Sequence, residues 1–505
     1  MIFPKATSPK AIPPGTIPSA LTGSSASTTT APEQLAGPAA YTHALLHDFG
    51  GYFLSLGLLS LGGILLLPMI TASLSPAELG LFSLVDTALT QGLTLGLLGL
   101  KFSYLYYYAH IPSQERPRLL GNTLILCGAG SLVVGILLAG LFGSTTVMAQ
   151  FDAVPLPMAW LLVPLLFIGA TQVVLLTELR AARHVKLAGV IAVAQLALLL
   201  TCSYWMVVKQ RYGLPGLLGA QLIAQGSATL GALVLLLPRL ALDFDIARSQ
   251  RLLRYGLPMM GSLTLRYALD TICRFLLAAL VSIEAAGLFL VVNRVTMLFE
   301  GLLATPFLMA FGGLVHHALR KTDAAQILGR ISSVMLAAGA GFALILLALR
   351  EPLFLLLAHD PLPGSAGLFA LLLLSRLVMT VRSPLTAGML RDGRTGWSAT
   401  NSLLALVLFL AMIWPAATLA GATGTAFAML AANLIATLQL AVAARRQCLQ
   451  HLQPEAWALA ALLAVATAAI ALLGSLPLAL WGVILAAAGW LSLRLLRHVH
   501  VMDRL

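Results

Sequence analysis

The chain has 505 residues, 59% of them apolar and 10% charged, with a mean hydropathy of +0.94. An ordinary soluble protein carries about 25% charged residues, so this chain lacks the polar surface to cover a globule in water. Its formal charge of +12 reads as the Lys and Arg excess that cytoplasmic loops of a membrane protein carry, not as a nucleic-acid footprint.

Residues 1–47 run Pro, Ser, Thr, Gly and Ala with almost no aromatic residues, a composition that predicts a disordered cytoplasmic tail. No apolar h-region with a small-residue cleavage site precedes it, so the first span is expected to direct insertion. From Phe49 onward, apolar runs alternate with short polar breaks, and spans are predicted at about 50–72, 80–105, 119–143, 157–179, 187–208, 214–237, 257–281, 286–312, 324–349, 364–390, 397–414, 418–443, 457–473 and 476–496. The stretch Pro352 to Ala358 is the candidate for a re-entrant piece. The expected fold is an all-α polytopic membrane protein of about 14 transmembrane helices.

With the N-terminus inside, 22 of the 30 Lys and Arg fall in cytoplasmic segments, three fall outside and five lie within spans. Such a bias sets an N-in, C-in orientation. Four cysteines, Cys127, Cys202, Cys273 and Cys448, lie far apart. Neither a zinc site nor a disulfide framework follows from that spacing, and packing is their expected role.

Two stretches repeat: ASLSPAELGLFSLVDT from Ala72 to Thr87 and ALVSIEAAGLFLVVNR from Ala279 to Arg294. Gly80-Leu81-Phe82 superposes on Gly287-Leu288-Phe289 at an offset of 207 residues. Six spans separate the copies, so both run in the same direction, as in a parallel repeat about an axis along the membrane normal. The expected organisation is a six-helix bundle over 48–237, a cytoplasmic linker over 238–256, a second six-helix bundle over 257–443, and helices 13–14 with a cytoplasmic tail over 444–505.

Charges within spans mark the place to look for function, because an ionised group at mid-bilayer is costly unless paired or wet. Arg266, Asp270 and Arg274 share an arc of about 80° on the seventh span, a ladder roughly 12 Å long. The eighth span adds Arg294 and Glu300, the second Asp86, and the tenth Arg376 and Arg382 as secondary candidates. One reading is a hydrated cationic cavity, with Arg266, Arg274 and Arg294 as forked donors for a phosphorylated headgroup. The competing reading has the ladder neutralise itself or snorkel to the interfaces. Arg382, ahead of Ser383-Pro384, can equally serve carbonyls freed by the proline. Tyr104, Tyr106, Tyr107 and Tyr108 read as an interfacial aromatic belt, with sugar stacking as the alternative. Pro258 reads as the first residue of the seventh span.

PMITASLSPAELGLFSLVDTALTQG within Gly50 to Leu100 resembles the first two helices of the bacterial polysaccharide and oligosaccharide flippases. These belong to the multidrug/oligosaccharidyl-lipid/polysaccharide (MOP) exporter superfamily. RYGLPMMGSL at Arg254 to Leu263 and EAAGLFLVVNRV at Glu284 to Val295 resemble the family's seventh and eighth helices. The resemblance implies two six-helix bundles that reorient a polyprenyl-pyrophosphate-linked glycan to the outer leaflet of the bacterial inner membrane by alternating access. It implies substrate binding at Arg266, Arg274 and Arg294, and lipid and the polymerase or export proteins as partners. Two extra C-terminal helices are similar to the lipid II flippase branch, but the long tail and the absence of an early Arg cluster favour an exopolysaccharide or O-antigen-type substrate over lipid II.

No GxxxxGK[ST] occurs, so ATP is not expected to bind in the P-loop manner; the expectation is no cofactor and an H⁺ or Na⁺ gradient as the drive, with Asp86, Asp270 and Glu300 as candidate carriers. Two alternatives share the fold or the setting: a multidrug exporter, for which an Arg-rich cavity is unsuited, and a non-transporting component of a polysaccharide synthesis or export complex. An enzyme is disfavoured, because no loop is long enough to carry an acid/base site.

Overall fold

The computed structural model describes residues 62–143, 156–182, 184–241, 243–318, 323–358, 362, 365–390, 396–443, 453–473 and 478–501, together with Leu45, Phe49 and Phe53. The expected tail over 1–47, Leu45 apart, and the first half of the first span, Phe53 apart, lie outside the described residues.

All regular structure among the described residues is helical. The short turns Gly62–Leu65 and Leu156–Trp160 aside, the first half comprises α1 (Leu67–Ser73), α2 (Pro76–Gly96), α3 (Leu100–His110), α4 (Arg116–Gly143), α5 (Leu162–Ala181), α6 (Val185–Ser203) and α7 (Gly213–Leu236). The second half follows as α8 (Ile246–Leu280), α9 (Ile283–Phe299), α10 (Thr305–Ala318), α11 (Ala324–Ala348), α12 (Arg350–Ala358), α13 (Ser365–Leu390) and α14 (Gly396–Ala443), with α15 (Pro454–Leu473) and α16 (Leu478–Val501) after it.

Both copies of the repeat start their helix on a serine. Ser75 accepts from the Glu78 N–H while the Glu78 carboxylate receives the Ser75 N–H at 2.9 Å, a capping box that fixes the start of α2. Ser282 accepts from the Ala285 N–H and starts α9. Asp245 caps α8 through the Ala247 N–H at 2.8 Å. That cap begins the helix well before Pro258, which lies inside α8 and not at its first turn. The segment read as a linker is therefore a turn at Leu237–Arg239 followed by the start of α8, and its Leu252 packs with Leu100, Tyr104 and Leu119 of the first half.

Nine of the described helices are long and apolar enough to cross a membrane, and Pro76–Gly96 with Leu100–Tyr108, bent by 41°, adds a tenth. The bend falls where Leu98 and Gly99 take positive φ of 50° and 68°, which ends the α2 ladder and re-aims α3. The 48-residue α14 contains two spans. Its helical dihedrals break at Ala420 and Gly421, and Asn401 Nδ2 donates to the Ala436 carbonyl at 2.6 Å across the fold-back. A Cβ on Gly424 would lie 1.8 Å from the Ala416 oxygen, so the hairpin is that tight. The predicted spans 397–414 and 418–443 correspond to its two arms. Pro352 to Ala358 belongs to α12, nine residues long and too short to cross, which packs on α1 through the Thr71 hydroxyl and the Leu357 carbonyl at 3.3 Å.

One apolar core gathers Leu277, Phe289, Phe299, Phe354, Phe369 and Phe409 of the second half and extends to Leu463 and Trp481 of the last two helices. Another centres on Phe82, Leu84, Leu162 and Leu218 of the first half and takes in Ala286 and Leu290 of α9. The halves thus meet along α2 and α9, the two helices that the repeat relates.

Candidate functional site

Gly80 and Gly287, the matching glycines of the repeat, face each other where α2 and α9 begin. A Cβ on Gly80 would lie 2.0 Å from the Ile283 carbonyl oxygen, and one on Gly287 would lie 2.8 Å from both the Gly80 nitrogen and the Pro76 oxygen. Backbone therefore meets backbone at this capped end of the helices. At the far end of α2 backbone again meets backbone. A Cβ on Gly99 would lie 2.0 Å from the Gly256 oxygen, and one on Gly256 would lie 2.6 Å from the Leu98 oxygen. Tyr106 of α3 stacks there on Tyr255 of α8, with ring centroids 4.7 Å apart.

Between the two contacts lies a charge cluster. Asp86 of α2 holds Arg294 of α9 at 2.6 Å and Arg274 of α8 at 3.6 Å, both through Oδ2. Arg274 also donates to the Thr87 hydroxyl at 2.7 Å. One carboxylate of the first half thus ties two guanidinium groups of the second. Arg376 of α13 reaches Asp270 of α8 and Glu300, the residue that opens a π-helical segment after α9, each at 3.4 Å. It also donates to the Asn293 side-chain oxygen at 2.9 Å.

The repeat offset carries Asp86 onto Asn293, so both halves place an acceptor at the same depth and each acceptor receives an arginine. Among the described residues, Asp270 Oδ1, Arg274 Nε, Arg376 Nε and Asn293 Nδ2 are buried with no protein hydrogen-bond partner.

The sequence-predicted residues divide as follows. Arg274, Arg294, Asp86, Asp270, Glu300 and Arg376 come together. Arg266 lies on α8, and its side chain lies outside the described residues. Arg382 lies apart and donates to the Asn401 side-chain oxygen, beside the α14 hairpin. The ladder on α8 is split between neighbours: Arg274 turns to Asp86 and Asp270 to Arg376. Three guanidinium groups and three carboxylates therefore balance within the cluster.

A cavity of about 190 Å³ opens beside it, lined by Asp86, Arg294, Gln195, Gln221 and Gln225 among apolar residues. A smaller one of about 90 Å³ shares Asp86, Gln221 and Gln225. The larger can hold water but is smaller than the roughly 300 Å³ at which ligand pockets begin. The glutamines escaped the sequence reading. Their signal is Gln221 and Gln225 at i, i+4 on one face of an otherwise apolar helix. Glu178 escaped it too: 5% exposed near the end of α5, it accepts a hydrogen bond from the Tyr104 hydroxyl.

Arg376 is 5% exposed with two carboxylates on it. Its replacement by Leu leaves Asp270, 25% exposed, and Glu300, 44% exposed, without their cation, at a cost below the roughly 3–5 kcal/mol of breaking a fully buried pair. Thermal unfolding of the detergent-purified protein should show a lower midpoint for Arg376→Leu. Arg376→Lys should fall between, since it keeps the charge and loses the fork.

The family described as polysaccharide biosynthesis protein matches residues 46–311. No curated protein matches the chain in sequence. Among solved structures, an inward-facing multidrug resistance MATE family transporter of the MOP superfamily aligns with a TM-score of 0.65 at 13% identity, over 80% of this chain and 97% of that one. The lipid II flippase MurJ in an inward closed conformation aligns with a TM-score of 0.64 at 11% identity, over 90% and 97%. Both likenesses are of fold.

Proposed function

The chain belongs to the polysaccharide biosynthesis protein family, and from that premise we propose that it is a flippase of the bacterial inner membrane. Its substrate on this reading is a polyprenyl-pyrophosphate-linked oligosaccharide or exopolysaccharide precursor, carried from the inner to the outer leaflet by alternating access. The N- and C-termini are cytoplasmic, which makes the Gly80/Gly287 seal the outer one and the Gly99/Gly256 seal the inner one. The observation that carries the reading is Asp86 of one half clasping Arg274 and Arg294 of the other, beside a cavity lined in part by glutamines and between two close backbone contacts.

The cluster supports an exchange. With Asp86 ionised, both guanidinium groups are occupied and the halves are tied together. A proton or a sodium ion on Asp86 weakens that tie and frees two forked donors, which suit the oxygens of a phosphate. Asp270 and Glu300 stand in the same relation to Arg376. The pyrophosphate and sugars need a wet path because unpaired polar groups cannot enter hydrocarbon, while the prenyl chain stays in lipid. Polymerase or export proteins are the partners this role implies. A multidrug exporter is the alternative on the same fold. The electrostatics weigh against it, because a cationic drug would meet carboxylates that arginines already hold.

Depletion of the protein is the test. Its lipid-linked glycan should accumulate on the cytoplasmic leaflet while surface polysaccharide falls, and re-expression should reverse both. Normal surface polysaccharide with no accumulated precursor would remove the flippase reading.

A further inference from the structure

In the orientation proposed above, three cations lie on the outer side: Lys209, Arg211 and Arg350. The bias that gathers Lys and Arg in cytoplasmic loops works against cations there. Arg350 is 8% exposed and paired with Glu351 at 3.0 Å. Lys209 and Arg211 are both exposed, and neither has an ion pair among the described residues. A Cβ on Gly213 would lie 2.6 Å from Glu78 Oε1, which puts that carboxylate beside their loop, but Glu78 is taken up by the Ser75 cap of α2.

The local structure holds these two cations among aromatic rings. The chain leaves α6 through a π-helical segment, Tyr204–Lys209, whose wider turn brings residues five apart together. Lys209 Nζ accordingly sits 5.9 Å from the Tyr204 ring centroid. The Gln210 N–H donates to the Trp205 carbonyl and the Tyr212 N–H to the Met206 carbonyl, each at 3.0 Å. Arg211 turns the chain with φ of 56°, a conformation that a non-glycine residue keeps only where its surroundings impose it. The anchor is Val207, 1% exposed, in one apolar cluster with Ile70, Leu74 and Leu214. Tyr204, Trp205 and Tyr212 are left 46%, 55% and 53% exposed. An interfacial belt accounts for such rings; it does not account for two cations without counter-ions beside them.

The same loop joins α6 to α7, and both helices line the cavity beside Asp86: Gln195 and Leu199 from α6, Leu217, Gln221 and Gln225 from α7. Leu199 and Leu217 lie within about 15 Å of Lys209 and Arg211 along their helices. Ile70, packed with Val207, lines the cavity as well. The geometry points to the α6–α7 loop as an outer binding site for the pyrophosphate of a prenyl-linked lipid, with Lys209 and Arg211 as its donors. This rests on the flippase reading and its orientation. Arg211 offers a fork to phosphate oxygens and Lys209 a point charge. The rings, apolar in body with polar tips, set the loop at headgroup depth, where a delivered headgroup is met while its chain stays in lipid.

The test measures binding without transport, so it can fail while the depletion result stands, and can succeed where depletion shows nothing. An environment-sensitive fluorophore is attached at Gln210→Cys, an exposed position between the two cations, in a full-length background freed of native cysteines and reconstituted in phosphatidylcholine nanodiscs. Undecaprenyl pyrophosphate should give a saturable change. Undecaprenol, which has the chain without the phosphates, should give none, and phosphatidylglycerol at equal charge should give no saturable change. Lys209→Gln with Arg211→Gln should weaken the midpoint about tenfold, the worth of two exposed charge pairs, with an unchanged melting midpoint because both side chains are exposed. Lys209→Arg with Arg211→Lys should retain most of the affinity. An unshifted midpoint in the double Gln variant, or no saturable change in the parent protein, overturns the proposal. An equal response to phosphatidylglycerol overturns it too, leaving a loop that meets any anionic lipid, and a response to undecaprenol would assign the binding to the chain instead.

Discussion

Asp86→Asn is expected to abolish transport, with surface polysaccharide in cells that carry only the variant falling at least tenfold. Asp86 is the single carboxylate within 4 Å of both Arg274 and Arg294 among the described residues. Arg274 is 8% exposed and Arg294 21%, so neutralising Asp86 leaves two enclosed positive charges side by side. Removal of one partner from such a site costs about 3–5 kcal/mol, chiefly through the charge left behind. The melting midpoint of the purified protein should fall accordingly. Adding Arg294→Gln to Asp86→Asn removes one stranded charge, and should recover part of the midpoint without recovering transport. That split separates a structural role from a working one. Wild-type polysaccharide levels in Asp86→Asn would show that the cluster only holds the halves together, and that another group carries the ion.

Gly80→Ala is expected to be the next most damaging change, for a reason of shape alone. The added Cβ would lie 2.0 Å from the Ile283 carbonyl oxygen, which belongs to the backbone and has no rotamer to escape into. The start of α9 must move away by more than an ångström, and the outer seal cannot close. Overpacking of this kind costs about 1–3 kcal/mol where structure can shift, enough to favour outward opening without unfolding the protein. A reporter follows from the cavity: Leu290, 1% exposed, lines it. Leu290→Cys in a background freed of other cysteines should become reactive to an impermeant thiol reagent added outside once Gly80→Ala is present. Transport should drop at least tenfold. Unchanged labelling together with unchanged transport would mean that the Gly80/Gly287 contact is no gate.

Much of the frame was legible because the bilayer leaves few choices. A backbone that must satisfy its own hydrogen bonds in lipid becomes helical, and apolar runs of the right length mark where. The Gly-Leu-Phe repeat pointed to a pseudo-symmetric pair of helices, and Gly80 and Gly287 turned out to touch. Breaks were harder. The bend at Leu98-Gly99 and the long α8 were missed, since neither a positive φ at Leu98 nor an extension capped by Asp245 disturbs a hydropathy count. The intramembrane charges of the central cluster were all visible and Glu178 was not; none of their partners was. Arg376, set among the secondary candidates, anchors the second carboxylate pair, whereas Arg382, equally conspicuous in sequence, lies apart beside Asn401.

The sequence by itself determined a multi-pass helical membrane protein, the approximate limits of most spans, the parallel repeat, and the depth at which charge had to be accommodated. These follow from composition and from periodicity along one chain. Only the tertiary structure decided that Arg274 turns to Asp86 and Asp270 to Arg376, that positive and negative charges in the cluster balance, and that Glu178 stands apart with Tyr104. Helical spacing fixes which face a residue occupies. What that face meets depends on helices about a hundred to two hundred residues away, whose approach is set by packing and by glycines that let two backbones touch.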